Sequence, residues 1–312
     1  MIGSSRLYAR WVRDLWRAGA FRRTRKSGSA LVVVLFHGLF RDRREVSSGT
    51  CDPQQGITLA FFAEFVESLL TSGAAIREVH QAVREARPGL TVAITFDDGY
   101  ANNDGARQVL ERFGVPATFY ISTRHVEEQK AFWWDVLYRE GTRRGVSPSV
   151  IAQQGRALKL LTAAEIEGRL TDRFGRQALA PAAECDRPFT TGELRQFARS
   201  PQVYLGNHTR DHGILVNYDS QGIRDQIVDA QRFLADAVGV TPTSIAYPNG
   251  NCDDRVTMIA REAGLELGLT VQPGSNRLPT DQTMTLRRLT IWGTPGAARQ
   301  ARAIAALAQG AA

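Results

Sequence analysis

The chain has 312 residues, 43% of them hydrophobic, which is enough to bury a large core in one barrel-sized domain or two smaller ones. Its net charge of +7 sits at the start: residues 1–30 hold eight Lys/Arg and one acid, while the other 282 residues carry 31 basic and 31 acidic side chains. A neutral body with a basic arm argues against a broad phosphate-binding face, so no nucleic-acid partner is expected.

Cys51, Cys185 and Cys252 are odd in number, far apart and without a C-x-x-C pair. That pattern indicates neither a disulfide framework nor a cysteine zinc site, and it fits a reducing compartment. No apolar run approaches the roughly 18 residues of a membrane span. Charges also interrupt the start before any signal-peptide core can form, so the expected location is the cytoplasm.

In residues 1–30, Arg6, Arg10, Arg13 and Arg17 fall on one helical face, with Leu7, Tyr8, Trp11, Val12, Leu15 and Trp16 opposite. Such a basic amphipathic helix either lies on an anionic membrane surface, here through residues 5–23 at the inner face, or packs on the domain. Residues 22–30 read as a linker.

From Leu31 the pattern changes to short β-branched apolar runs separated by helical stretches. Strands are expected at 31–36, 91–96, 117–122, 202–205, 243–247, 265–271 and 286–292, and helices at 59–73, 101–114 and 220–238. Continuous apolar strands alternating with helices imply a parallel sheet covered on both faces, either a barrel or an open α/β sheet. Residues 126–190 break this rhythm with helix-like segments around 132–140 and 163–174, and read as an inserted helical subdomain within a 31–296 body. The Ala-rich tail, 297–312, reads as a terminal helix with frayed end residues.

The sharpest local signal is Thr95-Phe96-Asp97-Asp98-Gly99-Tyr100, two adjacent carboxylates at the end of an apolar strand, where α/β sheets build their sites. Adjacent carboxylates repel unless a cation or a proton resolves the conflict, although Asp-Asp-Gly is also an ordinary turn. The second signal, Gly206-Asn207-His208-Thr209-Arg210-Asp211-His212, again follows a strand. Its two histidines either share a helical face or converge from a turn, and both arrangements can bind one metal. Together the segments supply one carboxylate and two imidazoles to a metal, with a second carboxylate left as base. Mixed nitrogen and oxygen ligation suits zinc. His80 and His125 have no partner motif and read as surface or helix-end residues; Trp133 and Trp134 either stack on a sugar or pack their helix on the body.

These two segments resemble the defining motifs of the polysaccharide deacetylase, or NodB-homology, family. Further similarity lies in Ala246-Tyr247-Pro248-Asn249-Gly250, Pro116-Ala117-Thr118-Phe119 and Phe36-His37-Gly38, so the resemblance spans about 31–292. It implies a distorted (β/α) barrel of about seven strands, with Asp97 as general base and Asp98, His208 and His212 as metal ligands. It also implies that the Tyr247 backbone N–H serves the oxyanion. Members commonly carry an Arg just before the Tyr-Pro motif and a His on the last strand, and both are missing here. The chain is therefore similar to the rearranged branch of poly-N-acetylglucosamine deacetylases, which assigns the acid to His37 and the partner orienting Asp97 to Arg288. His37 follows its strand as Asp97 follows its own, so both should project from one end of the sheet.

The expected activity is removal of acetyl groups from an N-acetylated glycan or lipid-linked sugar, in exopolysaccharide biosynthesis. A deformylase or O-deacetylase would use the same activated water, and a catalytically silent glycan-binding barrel is the non-enzymatic alternative.

Overall fold

The computed structural model describes residues 29–307, so the amphipathic helix expected in residues 5–23 lies outside the described residues. The strands are β1 (Ser29–Phe36), β2 (Ala75–Ile76), β3 (Gly89–Phe96), β4 (Ala117–Ile121), β5 (Val203–Asn207), β6 (Ser244–Ala246), β7 (Leu267–Leu269), β8 (Asn276–Leu278) and β9 (Arg288–Thr290). They pair in the order β7-β6-β5-β4-β3-β1-β8, with β2 added on β3 and β9 on β1. Among the described strands only the short β8 runs antiparallel to its neighbour. β1 begins at Ser29, so the expected linker ends earlier than residue 30.

Closure comes from the chain leading into β9. Leu286 bridges Leu269 of β7 in parallel, with Leu286 N–H on the Gly268 carbonyl at 2.8 Å, and two residues later β9 pairs with Val33–Leu35 of β1. The segment 286–290 thus joins the two ends of the sheet, and the choice between open sheet and barrel falls to a distorted barrel of about seven strands.

Side chains alternate along each strand and sort into two layers. Val32, Val34 and Phe36 of β1 join Val92, Ile94 and Phe96 of β3 in the outer core. Helices α1 (Leu59–Thr71) and α3 (Asn103–Phe113) cover it with Phe62, Phe65 and Leu110. Leu31, Val33, Ala93 and Tyr120 fill a separate inner cluster. Continuing the same period of two, His37 and Asp97 both fall on the inner side. Between them the register is tight, because Phe36 pairs with Phe96 and the Asp97 N–H donates to the Phe36 carbonyl at 3.0 Å.

The remaining helices are α2 (Val79–Glu85), α4 (Thr123–Glu128), α5 (Trp133–Arg143), α6 (Pro148–Leu158), α7 (Ala163–Phe174), α8 (Thr191–Phe197), α9 (Ser220–Val238), α10 (Asp254–Glu262) and α11 (Ala297–Ala306), besides a single turn at Arg43–Val46. Helix α7 opens on a capping box of Thr162 and Glu165, and α9 on the Asp219 side chain. Gly114 and Gly239 end α3 and α9 in the left-handed conformation, at φ 65° and 72°. Helices α5, α6 and α7 pack on one another through their own core of Val136, Leu137, Ile151, Ile166 and Leu170. Helix α11 buries Ala301 and Ile304 in the outer core. No helix among the described residues is long and apolar enough to cross a membrane.

Gly206 on β5 stands beside Tyr120 of β4, and a Cβ at Gly206 would overlap the ring of that fully buried tyrosine. Gly206→Ala is therefore expected to cost about 1–3 kcal/mol in urea denaturation. The added methyl should cost much less when Tyr120 is already valine. Strictly additive costs in the double variant would show that the ring is not what Gly206 makes room for.

Candidate active site

At the C-terminal end of β3 the backbone turns sharply, with Asp98 at φ 81° and Gly99 at φ 94°. A left-handed aspartate is uncommon, and here it sends two consecutive carboxylates in different directions. Asp97 turns toward β9. Both of its oxygens accept from Arg288, Oδ1 from Nη1 and Oδ2 from Nη2, each at 2.7 Å. Arg288 is fully buried and its Nε–H donates to the Thr270 carbonyl at 2.8 Å. Burial alone would raise the Asp97 carboxyl, but the Arg288 charge, helped by His208, outweighs it and holds the pKa below the ordinary value.

Asp98 turns toward the histidines. They converge from a turn after β5 rather than from a helix, with Thr209 at φ 64° and His212 at φ 53°. Asn207 accepts the Thr209 N–H at 2.8 Å, and Thr209 Oγ1 accepts the Gly213 N–H at 2.9 Å, which locks the turn. Nε2 of His208 and Nε2 of His212 each lie 3.4 Å from Asp98 Oδ1. His208 Nδ1 lies 2.7 Å from the Ala246 carbonyl, an acceptor, so Nδ1 carries a proton and Nε2 is the ring nitrogen turned to Asp98. Burial chiefly depresses His212, to about 4, so it is a neutral imidazole near pH 7. Asp211, within the same motif, is engaged elsewhere by Arg124 and Gln226.

Asp98 is 1% exposed, yet neither carboxylate oxygen has a hydrogen-bond partner. A buried, unsatisfied carboxylate is costly without a cation. The ligating atoms of Asp98, His208 and His212 lie within 4.8 Å of one another. Tetrahedral zinc with bonds of about 2.0–2.2 Å needs ligand separations of roughly 3.3–3.5 Å, so the 3.4 Å spacings fit such an ion.

These groups open into a cleft of about 540 Å³ that also admits His37, whose Nδ1 is buried without a partner. The structure thus brings together His37, Asp97, Asp98, His208, His212 and, behind Asp97, Arg288. Tyr247 is the correction. Its backbone N–H donates to the Leu269 carbonyl at 3.0 Å and its ring is fully buried, because the β6–β7 ladder runs one residue beyond β6. That N–H is not available to an oxyanion. From the same motif it is Asn249, at φ 58°, that lines the cleft.

Other walls had no sequence signal. Asp52 and Gln54 come from the loop before α1, and Lys159 from just beyond α6, its Nζ donating to Asn249 Oδ1 at 2.7 Å. Trp133 and Trp134 both line the cleft. Trp134 meets the His212 ring edge-on at 4.6 Å and donates to the Tyr100 hydroxyl at 2.8 Å, while that hydroxyl donates to Asp135 Oδ2 at 2.7 Å. His80 lies apart, bonded to Glu78 and Thr243; His125 stacks on Phe132 at 4.1 Å.

Comparison with known proteins fits this geometry. The chain shares its fold with the deacetylase PplD of Streptococcus pyogenes, solved with acetate: TM-score 0.62, 14% identity, 89% of this chain and 99% of that one. IcaB from Ammonifex degensii matches at TM-score 0.58 and 20% identity over 91% of this chain and 98% of its own. The deacetylase domain of BpsB from Bordetella bronchiseptica matches at 0.56 and 20%, over 86% and 98%. No curated protein matches by sequence. The profile of the polysaccharide deacetylase family covers residues 84–268, more than half of the chain. The chain belongs to the polysaccharide deacetylase family, hydrolases that cleave the amide bond of N-acetylated sugars.

Proposed function

We propose that this protein is a metal-dependent N-deacetylase of a glycan, with Asp98, His208 and His212 holding one divalent ion, zinc by the chemistry of its ligands. Asp97 is the general base and His37 the general acid. The observation that carries this reading is the division of labour between adjacent carboxylates: Arg288 claims both oxygens of Asp97, while both oxygens of Asp98 are left for a cation. When bound, the ion would acidify a water and polarise the acyl carbonyl.

The chain's own groups handle the protons. Asp97, held ionised by Arg288, takes one from the attacking water. Amide cleavage expels a poor leaving group, so the nitrogen must gain a proton as the C–N bond breaks, and His37, just past the neighbouring strand, supplies it. Arg288 acts through Asp97, fixing the direction of its carboxylate. A silent glycan-binding barrel would need neither the buried guanidinium nor the unsatisfied Asp98.

The purified protein should carry about one transition-metal ion per chain by elemental analysis. His208→Ala and Asp98→Ala should lose it, whereas Asp97→Asn should retain it while acetate release from N-acetylated oligosaccharides falls at least about 10²-fold. Full metal occupancy in His208→Ala and Asp98→Ala would remove these ligands from the assignment.

His37→Ala should lower kcat on the amide by roughly 10²–10⁴ with fold and metal content intact. An activated ester, whose leaving group needs no proton, should suffer much less. Equal losses on both substrates would take His37 out of the acid role.

A further inference from the structure

Two of the three widely spaced cysteines meet in the fold. Cys51 is 2% exposed and Cys185 5%, and they share a small buried cluster with Phe40, flanked by Val46 and Ala183. One helix holds both in place. Asp135 and Arg139 stand one turn apart on α5: Asp135 Oδ1 accepts the Asp52 backbone N–H at 2.8 Å, and Arg139 pairs with the Asp186 carboxylate. The residue after each cysteine is thus anchored to the same stretch of α5. Asp186 also accepts the N–H groups of Ala182 and Ala183, at 3.0 and 2.8 Å, which fixes the turn that carries Cys185. Cys252 packs in a different cluster, with Tyr247 and Val256.

We propose that Cys51 and Cys185 are a site of disulfide formation, stapling the cleft-lining loop of Asp52 and Gln54 to the segment that leaves the helical insertion. The reaction joins the two sulfurs with loss of two protons and two electrons, which a disulfide oxidant such as oxidised glutathione takes up as it becomes two thiols. In the folded protein both thiols are almost fully buried, so an oxidant has little access to them, and burial beside Cys185 also holds the Cys51 thiol above its usual range. The bond therefore forms while the chain folds, before the cluster is sealed. It closes a long loop, the case in which a cross-link constrains the unfolded chain most.

The test refolds the full chain from denaturant in a mixture of reduced and oxidised glutathione and, in parallel, in dithiothreitol. Non-reducing peptide mapping should recover one cross-linked peptide joining Cys51 to Cys185, with Cys252 alkylated as a free thiol. The oxidised protein should melt roughly 5–10 °C above the reduced one, and Cys252→Ser should keep both the cross-link and the rise. Recovery of Cys51 and Cys185 as free thiols, a cross-link through Cys252, or an oxidised form that melts no higher than the reduced one would each overturn the proposal.

Discussion

Arg288 and Asp97 are 191 residues apart, and the guanidinium of one lies flat against the carboxylate of the other with almost no solvent at either. In bulk water such a pair is worth little, but here almost no water reaches either partner: removing one leaves the other buried without its main counter-charge, at a cost of about 3–5 kcal/mol. The pair also joins two strands that are not neighbours. Arg288 opens β9, in the segment that bridges β7 to β1, and Asp97 directly follows β3, on the far side of β1. Barrel closure and the orientation of one carboxylate are therefore the same event.

The rest of the site follows from where parallel strands stop. Four of them, β1, β3, β5 and β6, deliver His37, Asp97 with Asp98, His208 and the Pro248-Asn249-Gly250 turn to one end of the barrel. The period of two decides which side chains look inward. The residue after Asp97 reverses direction through its left-handed backbone, so two carboxylates that would repel if aimed alike face different partners, Asp97 the Arg288 guanidinium and Asp98 the two histidines. The helical insertion then roofs the cleft with Trp133, Trp134 and the approach to Lys159.

Much of this was legible in the residues themselves. Runs such as LVVVLF become strands because they are apolar on both faces, and helices with strong signals, α7 and α9, begin and end where caps and glycines place them. The pairing of His37 with Asp97 could be read because each follows its strand by one residue. Less legible were features that depend on long-range packing. The seven-residue α2 and the two- and three-residue strands β2 and β8 are too short to show periodicity. Asp52, Gln54 and Lys159 belong to no motif, and only docking of the insertion brings them to the cleft. Tyr247 was misjudged because whether a backbone N–H is free depends on how far a ladder runs, which no single-strand pattern reveals.

The late position of Arg288 has a consequence for biosynthesis. A ribosome adding about 5–20 residues per second places roughly 10–40 s between the emergence of Asp97 and of its guanidinium partner. Until that interval ends, the strands already made have no closing segment, and Asp97 lacks its guanidinium partner. The nascent chain must wait with an open sheet edge, the kind of surface that strays into aggregation. For this protein the interval before residues 286–290 are made is where a holding chaperone has something to protect.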